Sequence, residues 1–319
     1  MRDSTAKRKH HKVPRYYLKG FVEKEGEPFI WVYRKGLQFR PGRVRYKYNP
    51  YRDSINFVGS ETDYYASTSS DGVIDYDTYE NMLEKLEKPA DPIIEKIRNR
   101  QPITTDDKTV FAAYIVMMLK RVERRRQKAV AMWPSILEHY ESSMDLIPAI
   151  DALERNTPSN DVATLKRLEE VRKEIDRIIA EYKTNSSSVP SKILHDSMVA
   201  PDSKLLPVIS QMKWQFLIAP EGSKFLTSDS PVFFFESIGL NKPQSEITFP
   251  ISSYVALASF GRSGFREGFI TTTTHVVSEI NRRTAHAATA EVYHASAASW
   301  IVDVLKKRKP QLNYLNPRE

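Results

Sequence analysis

Two adjacent imidazoles, His10 and His11, sit inside KRKHHKVPRYYLKGF (Lys7–Phe21), with Pro14, Tyr16 and Tyr17 close behind. A neutral imidazole can act as a general base or a metal ligand. The surrounding Lys7, Arg8, Lys9, Lys12 and Arg15 could collect phosphate groups. A second candidate lies far downstream. In SKFLTSDSPV, Ser228 and Asp229 follow a hydrophobic run, and loops leaving strands are common positions for catalytic side chains. Imidazole with carboxylate is a workable ligand set for a divalent ion such as Mn²⁺, Mg²⁺ or Zn²⁺. Each feature also has a structural explanation. Ser228 and Asp229 can hydrogen-bond a turn before Pro231, and a histidine pair can fasten an N-terminal segment to a buried carboxylate. The other histidines offer less. His139 and His195 stand alone in helical contexts, and His275 and His286 would lie about 16 Å apart along one helix face. There is no Walker loop, G-x-G-x-x-G, H-E-x-x-H or G-x-S-x-G sequence, so the chain carries no strong catalytic motif.

These residues belong to a chain of 319 residues, 40% hydrophobic and 28% charged, which is the composition of a folded protein with a sizeable core. Cysteine is absent, which excludes disulfides, thiolate nucleophiles and cysteine-bound zinc. The first twelve residues are charged with no apolar core, unlike a secretory leader, and the longest uncharged apolar run is TVFAAYIVMML (Thr109–Leu119). Its 11 residues fall short of the ~20 a membrane-spanning helix needs, so a cytoplasmic protein with no membrane partner is expected. The net charge of +8 is uneven. Residues 1–50 hold 14 Lys/Arg against 4 Asp/Glu, or +10, so the rest of the chain sums to −2. Nine of the 34 aromatics share that basic segment. Basic charge laced with aromatic rings suits a nucleic-acid partner, although lysine and arginine coating a solvated strand surface would look the same.

An α+β fold without an internal repeat is expected: a basic, β-containing part (1–100), a helical segment (101–210), and a C-terminal β-then-α part (211–319), forming one domain. Pro14 opens a short helix, PRYYLKG, closed by Gly20. PFIWVYRK and GRVRYKY alternate as a strand pair around GLQFRPG, and 49–77 reads as loop. YENMLEKLEK and DPIIEKIRNR are helical. The next helix is capped by Thr104 or Thr105 and runs from an apolar middle into the cluster Lys120, Arg121, Arg124, Arg125, Arg126 and Lys128. Leu165, Leu168, Ile175, Ile178, Ile179 and Tyr182 form an apolar stripe on a helical arm, which could support self-association through 159–183. TNSSSVPS is a turn. KWQFLIAP, SKFLTSDSPVFFFE and EITFPISSYVALASF read as three strands, and residues from Thr274 to Trp300 as helix.

HHKVPRYYLKGF resembles the opening signature of the family designated domain of unknown function 4238 (DUF4238), His-His-x-Val-Pro-x-x-Tyr/Phe-Leu. A tryptophan-bearing strand and a Thr-Ser-Asp-x-Pro-Val signature follow much later in that family. Here they correspond to Trp214 and to Thr227, Ser228, Asp229, Pro231 and Val232. Weaker echoes fall at Glu87, in a Leu-Glu pair, at Arg121, where the family often shows Arg-Thr-Pro but this chain reads KRVERR, and at Asn281, placed before the final helix. The resemblance implies no activity.

From these residues a metal site of His11, Glu87 and Asp229 can be drawn, with His10 or His11 as ligand or general base and Arg121 neutralising phosphate charge. The expected function is then a metal-dependent phosphodiesterase or nuclease acting on nucleic acid or a nucleotide, in a microbial defence or mobile-element setting. A nucleic-acid-binding protein without turnover and an interaction protein using the helical arm are the alternatives.

Overall fold

The structure, a computed structural model, describes residues 9–35, 38–40, 43–45, 50–68, 73–142, 146–184, 191–199, 204–261, 264, 266–306 and 313–315. Its mixed helices and sheets make an α+β fold. The chain divides into two compact units, Met1–Arg124 with Met198–Glu319, and Arg125–Ser197. Thr105–Lys120 and Leu205–Gln211 thus belong with the two ends of the chain, not with the helical insert.

The first unit is built on two main sheets. One runs Phe233–Phe234, Glu246–Pro250, Val255–Phe260, Lys213–Ile218, Gly268–Thr271, antiparallel except for the last pair. The other runs Thr227–Ser228, Glu291–His294, Phe29–Arg34, Tyr51–Ser54 and is antiparallel throughout. The N-terminal strand Lys9–His11 pairs with Ser60–Thr62. Helix Thr105–Lys120 runs through the core. Thr104 and Asp107 form a reciprocal capping box at its start, and every residue from Phe111 to Leu119 except Ala113 is buried. Phe111 meets Tyr114, Trp214 and Phe249 with ring centroids 5.7, 5.9 and 6.1 Å apart. Buried aromatic side chains of this kind contribute ~1.5–3 kcal/mol each. Among the described residues no helix is long and apolar enough to cross a membrane.

Several expected elements are redrawn. Phe29–Arg34 does not pair with residues 43–45. Those join Gln38–Arg40 in their own hairpin, while Phe29–Arg34 lies between Tyr51–Ser54 and Glu291–His294. The described residues of 49–77 include four short strands, whose polar sequences conceal backbone pairing. SKFLTSDSPVFFFE splits into Thr227–Ser228 and Phe233–Phe234 in different sheets, with Pro231 between them. EITFPISSYVALASF is a hairpin turning at Ile251–Tyr254, where Ser252 Oγ accepts from the backbone N–H groups of Tyr254 and Val255. The alanine-rich end is helix Thr274–Ala287, strand Glu291–His294 and helix Ser299–Lys306, so Asn281 lies inside a helix. The helix expected to run on through the basic cluster ends at Lys120, and a new one starts at Glu123, whose acid suits a helix N-terminus.

In the second unit, helices Leu146–Asn156 and Val162–Thr184 are joined by Arg172, which bonds Asp151 and, at 3.1 Å, Glu154. Leu165, Leu168 and Ile175 are half-buried, whereas the side chains of Ile178, Ile179 and Tyr182 lie outside the described residues, as does the turn at 185–190. His195 is buried in this unit.

Candidate functional site

Strand alternation separates the paired histidines. His10 points inward and is fully buried, stacked on Tyr65 at 5.4 Å. Its Nδ1 accepts the Tyr65 backbone N–H at 2.8 Å, which puts the ring hydrogen on Nε2. His10 is therefore a fastener. His11 faces the other way and lines a cleft of about 550 Å³ with Lys9, Arg15, Lys19, Glu80, Glu84, Glu87, Asp91 and Arg121.

Burial, then the positive charges of Arg15, Arg121 and Lys9, lower the His11 pKa to about 4, against a hydrogen bond to the Asn56 backbone that raises it. His11 Nε2 is shielded from bulk water and has no hydrogen-bond partner among the described residues. Asp91 is shifted the opposite way. Burial first, and then the charge of Glu87, push its carboxyl up to about 6, while Lys19 and Arg98 hold it down. Two titratable groups with displaced and opposite affinities for protons in one cleft are the pattern of an acid–base pair.

Arg121 is 1% exposed and committed to protein partners: its guanidinium bonds Glu87 and the His11 carbonyl. Through its two terminal nitrogens it holds the His11 strand against the helix bearing Glu87. Lys9 lies over the Phe57 ring at 4.0 Å, Lys12 pairs with Glu61 at 2.9 Å, and Arg15 bonds Asn56 at 3.3 Å. Lys7 and Arg8 lie outside the described residues.

Asp229 belongs elsewhere. Its carboxylate accepts three backbone N–H bonds, from Thr289 at 2.8 Å, Ala290 at 2.6 Å and Glu291 at 3.1 Å. These tie the Thr227–Ser228 segment to the turn after helix Thr274–Ala287, whose final carbonyls are capped by Lys35 Nζ. Burial raises the Asp229 pKa despite those amides. Ser228 Oγ accepts from the Ser230 backbone, and Asn281 clamps residues 224–226 by bonds to Leu226 N and Lys224 O, both at 2.9 Å. Pro14 and Pro231 are buried at the ends of their segments. The two motifs do meet, but through Tyr17, whose hydroxyl lies 2.6 Å from Thr227 Oγ1 and donates to Pro250 O at 2.7 Å.

Among the described residues no three His, Asp or Glu side chains form a group able to hold a metal ion, so His11, Glu87 and Asp229 do not make the ligand set drawn from the sequence. The residues that sequence reasoning passed over are Glu80, Glu84 and Asp91. Their spacing with Glu87, at intervals of four, three and four, was the available signal, because it marks one face of a continuing helix. Helices Thr78–Glu87 and Asp91–Arg98, joined by the turn Lys88–Ala90, carry that face along the cleft.

No curated protein matches the chain, and no solved structure matches it. The family model described as Protein of unknown function (DUF4238) matches residues 9–298, from the strand of the paired histidines to beyond Asp229. With the match covering most of its length, the chain belongs to the DUF4238 family.

Proposed function

We propose that the His11–Asp91 cleft is the active site of an acid–base hydrolase acting on a phosphate ester of nucleotide or nucleic-acid type. The observation that carries the reading is that His11 and Asp91 line one cleft whose wall also bears Lys9, Arg15 and Lys19; burial lowers the imidazole to about 4 and raises the carboxyl to about 6. Between those values Asp91 is protonated while His11 is neutral. The neutral His11 ring takes a proton from water as its oxygen attacks phosphorus. The bond from phosphorus to the leaving oxygen breaks, and Asp91 delivers a proton to that oxygen. Lys9, Arg15 and Lys19 on the cleft wall supply positive charge for the phosphate.

The test is hydrolysis of bis-p-nitrophenyl phosphate, single-stranded RNA and single-stranded DNA from pH 4 to 8, with and without chelator. The expected result is a bell-shaped profile with limbs near 4 and 6, and a loss of ~10²–10⁴-fold in both His11→Gln and Asp91→Asn. Wild-type protein with no turnover, or variants as active as wild type, would overturn the reading. Activity abolished by chelator would return a divalent ion to the mechanism. Salt-dependent binding of nucleic acid without turnover would favour the binding-protein alternative, for which the cationic cleft wall is the supporting feature.

A further inference from the structure

A second cleft of about 760 Å³ adjoins the first, and the two share Lys19, Ile55 and Asn56 as a wall. Its volume falls within the range of small-molecule sites. Two features mark it as more than a surface furrow. Tyr254, at the tip of the Ile251–Tyr254 turn, is 53% exposed, and Lys224 Nζ lies 5.7 Å from its ring centroid. Beside it, Ser253 lines the cleft yet is only 2% exposed, and its Oγ is buried with no hydrogen-bond partner among the described residues. A buried hydroxyl without a partner is costly unless a ligand completes it.

The floor is held in place. Arg98 bonds the carbonyls of Tyr16 and Tyr17 at 3.2 and 2.8 Å, and the Ser253 backbone N–H donates to Gly20 O at 2.8 Å. Gly20 is fixed by this packing, since a Cβ there would come within 2.7 Å of Ile251 O. The turn carrying Ser253 and Tyr254 therefore sits on a rigid base beside the acid–base cleft.

We infer that the second cleft is a nucleobase subsite: the base stacks on Tyr254, Ser253 Oγ bonds its polar edge, and the attached phosphate passes the Lys19–Asn56 wall toward His11. A half-exposed aromatic ring with a cation over it suits a planar, π-rich heterocycle, and such stacking accepts any base. The inference rests on the phosphate-ester reading of the first cleft and names its substrate as one bearing a nucleobase.

The test is binding by calorimetry of the full chain to adenosine 5′-monophosphate and to ribose 5-phosphate, in which an anomeric hydroxyl replaces the base. The wild type is expected to bind the nucleotide at least about tenfold more tightly. Tyr254→Ala should abolish that preference, leaving ribose 5-phosphate binding unchanged, and Tyr254→Phe should retain it. Equal affinities in the wild type, or a preference surviving Tyr254→Ala, would overturn the inference. The readout is binding, so it separates from the catalytic reading. Hydrolysis without base preference would sink the subsite alone, whereas a Tyr254-dependent preference without hydrolysis would keep the subsite and sink the catalysis.

Discussion

Around Asp229, three backbone N–H groups bond the carboxylate and lock a strand to the turn after a helix. Around His11, a ring nitrogen has no hydrogen-bond partner among the described residues, and the ring lines a cleft. The two lie in motifs of similar prominence, yet one side chain is spent on the fold and the other lines a cleft. The difference shows that residue type marks a candidate, and that its surroundings, a sealed interior or an open cleft, separate one candidate from another.

The largest effect expected from this contrast is on stability. Asp229→Ala leaves three amides without their acceptor and should cost ~3–5 kcal/mol in urea denaturation, since each unsatisfied buried group costs about 1–3 kcal/mol and relaxation recovers part of the sum. An Asp229→Ala protein of wild-type stability that had lost hydrolysis would reverse the assignment of the two motifs.

A smaller effect tests where the motifs touch. Tyr17→Phe removes the hydroxyl shared by Thr227 and Pro250 and should cost ~1–2 kcal/mol. In a double-mutant cycle with Thr227→Val, the coupling should reach ~0.5–1.5 kcal/mol. Additive losses would mean that the bond joining the two ends contributes nothing.

The smallest effect is in how stability varies with pH. The His11 pKa is lowered from 6.5 to about 4, so its contribution is present above 6.5 and is lost as the pH falls toward 4. The Asp91 pKa is raised from 3.8 to about 6, so its contribution is present below 3.8 and is lost as the pH rises toward 6. Relative to wild type, His11→Gln should shrink the gain in stability from pH 5 to pH 7, and Asp91→Asn should enlarge it. Denaturant titrations at both pH values measure this. Shifts of the same sign in both variants would show that the pair is not displaced in opposite directions.

Much of the helical structure was legible from local signals. The Thr104 capping box, the apolar run after it and the helices at 78–87 and 91–98 all depend on neighbours in sequence. The sheets were less so. Strand Phe29–Arg34 was visible by alternation, but its partners Tyr51–Ser54 and Glu291–His294 carry polar or alanine-rich surroundings that mimic loop and helix. The candidate site divided in the same way. The histidine pair could be found from its density of chemistry-bearing residues, while Asp91 stands in the first turn of a helix, where the helix dipole alone accounts for an acid.

The sequence by itself determined a folded α+β chain, its principal helices, and the residue types available for acid–base chemistry, because periodicity, capping and composition act over short distances. Only the tertiary structure decided that His10 is a fastener and His11 lines a cleft, that Arg121 is held by Glu87, and that Asp229 is consumed by the backbone. Those outcomes turn on burial and on partners some 34 to 110 residues away for Arg121 and about 60 for Asp229, which no local pattern can specify.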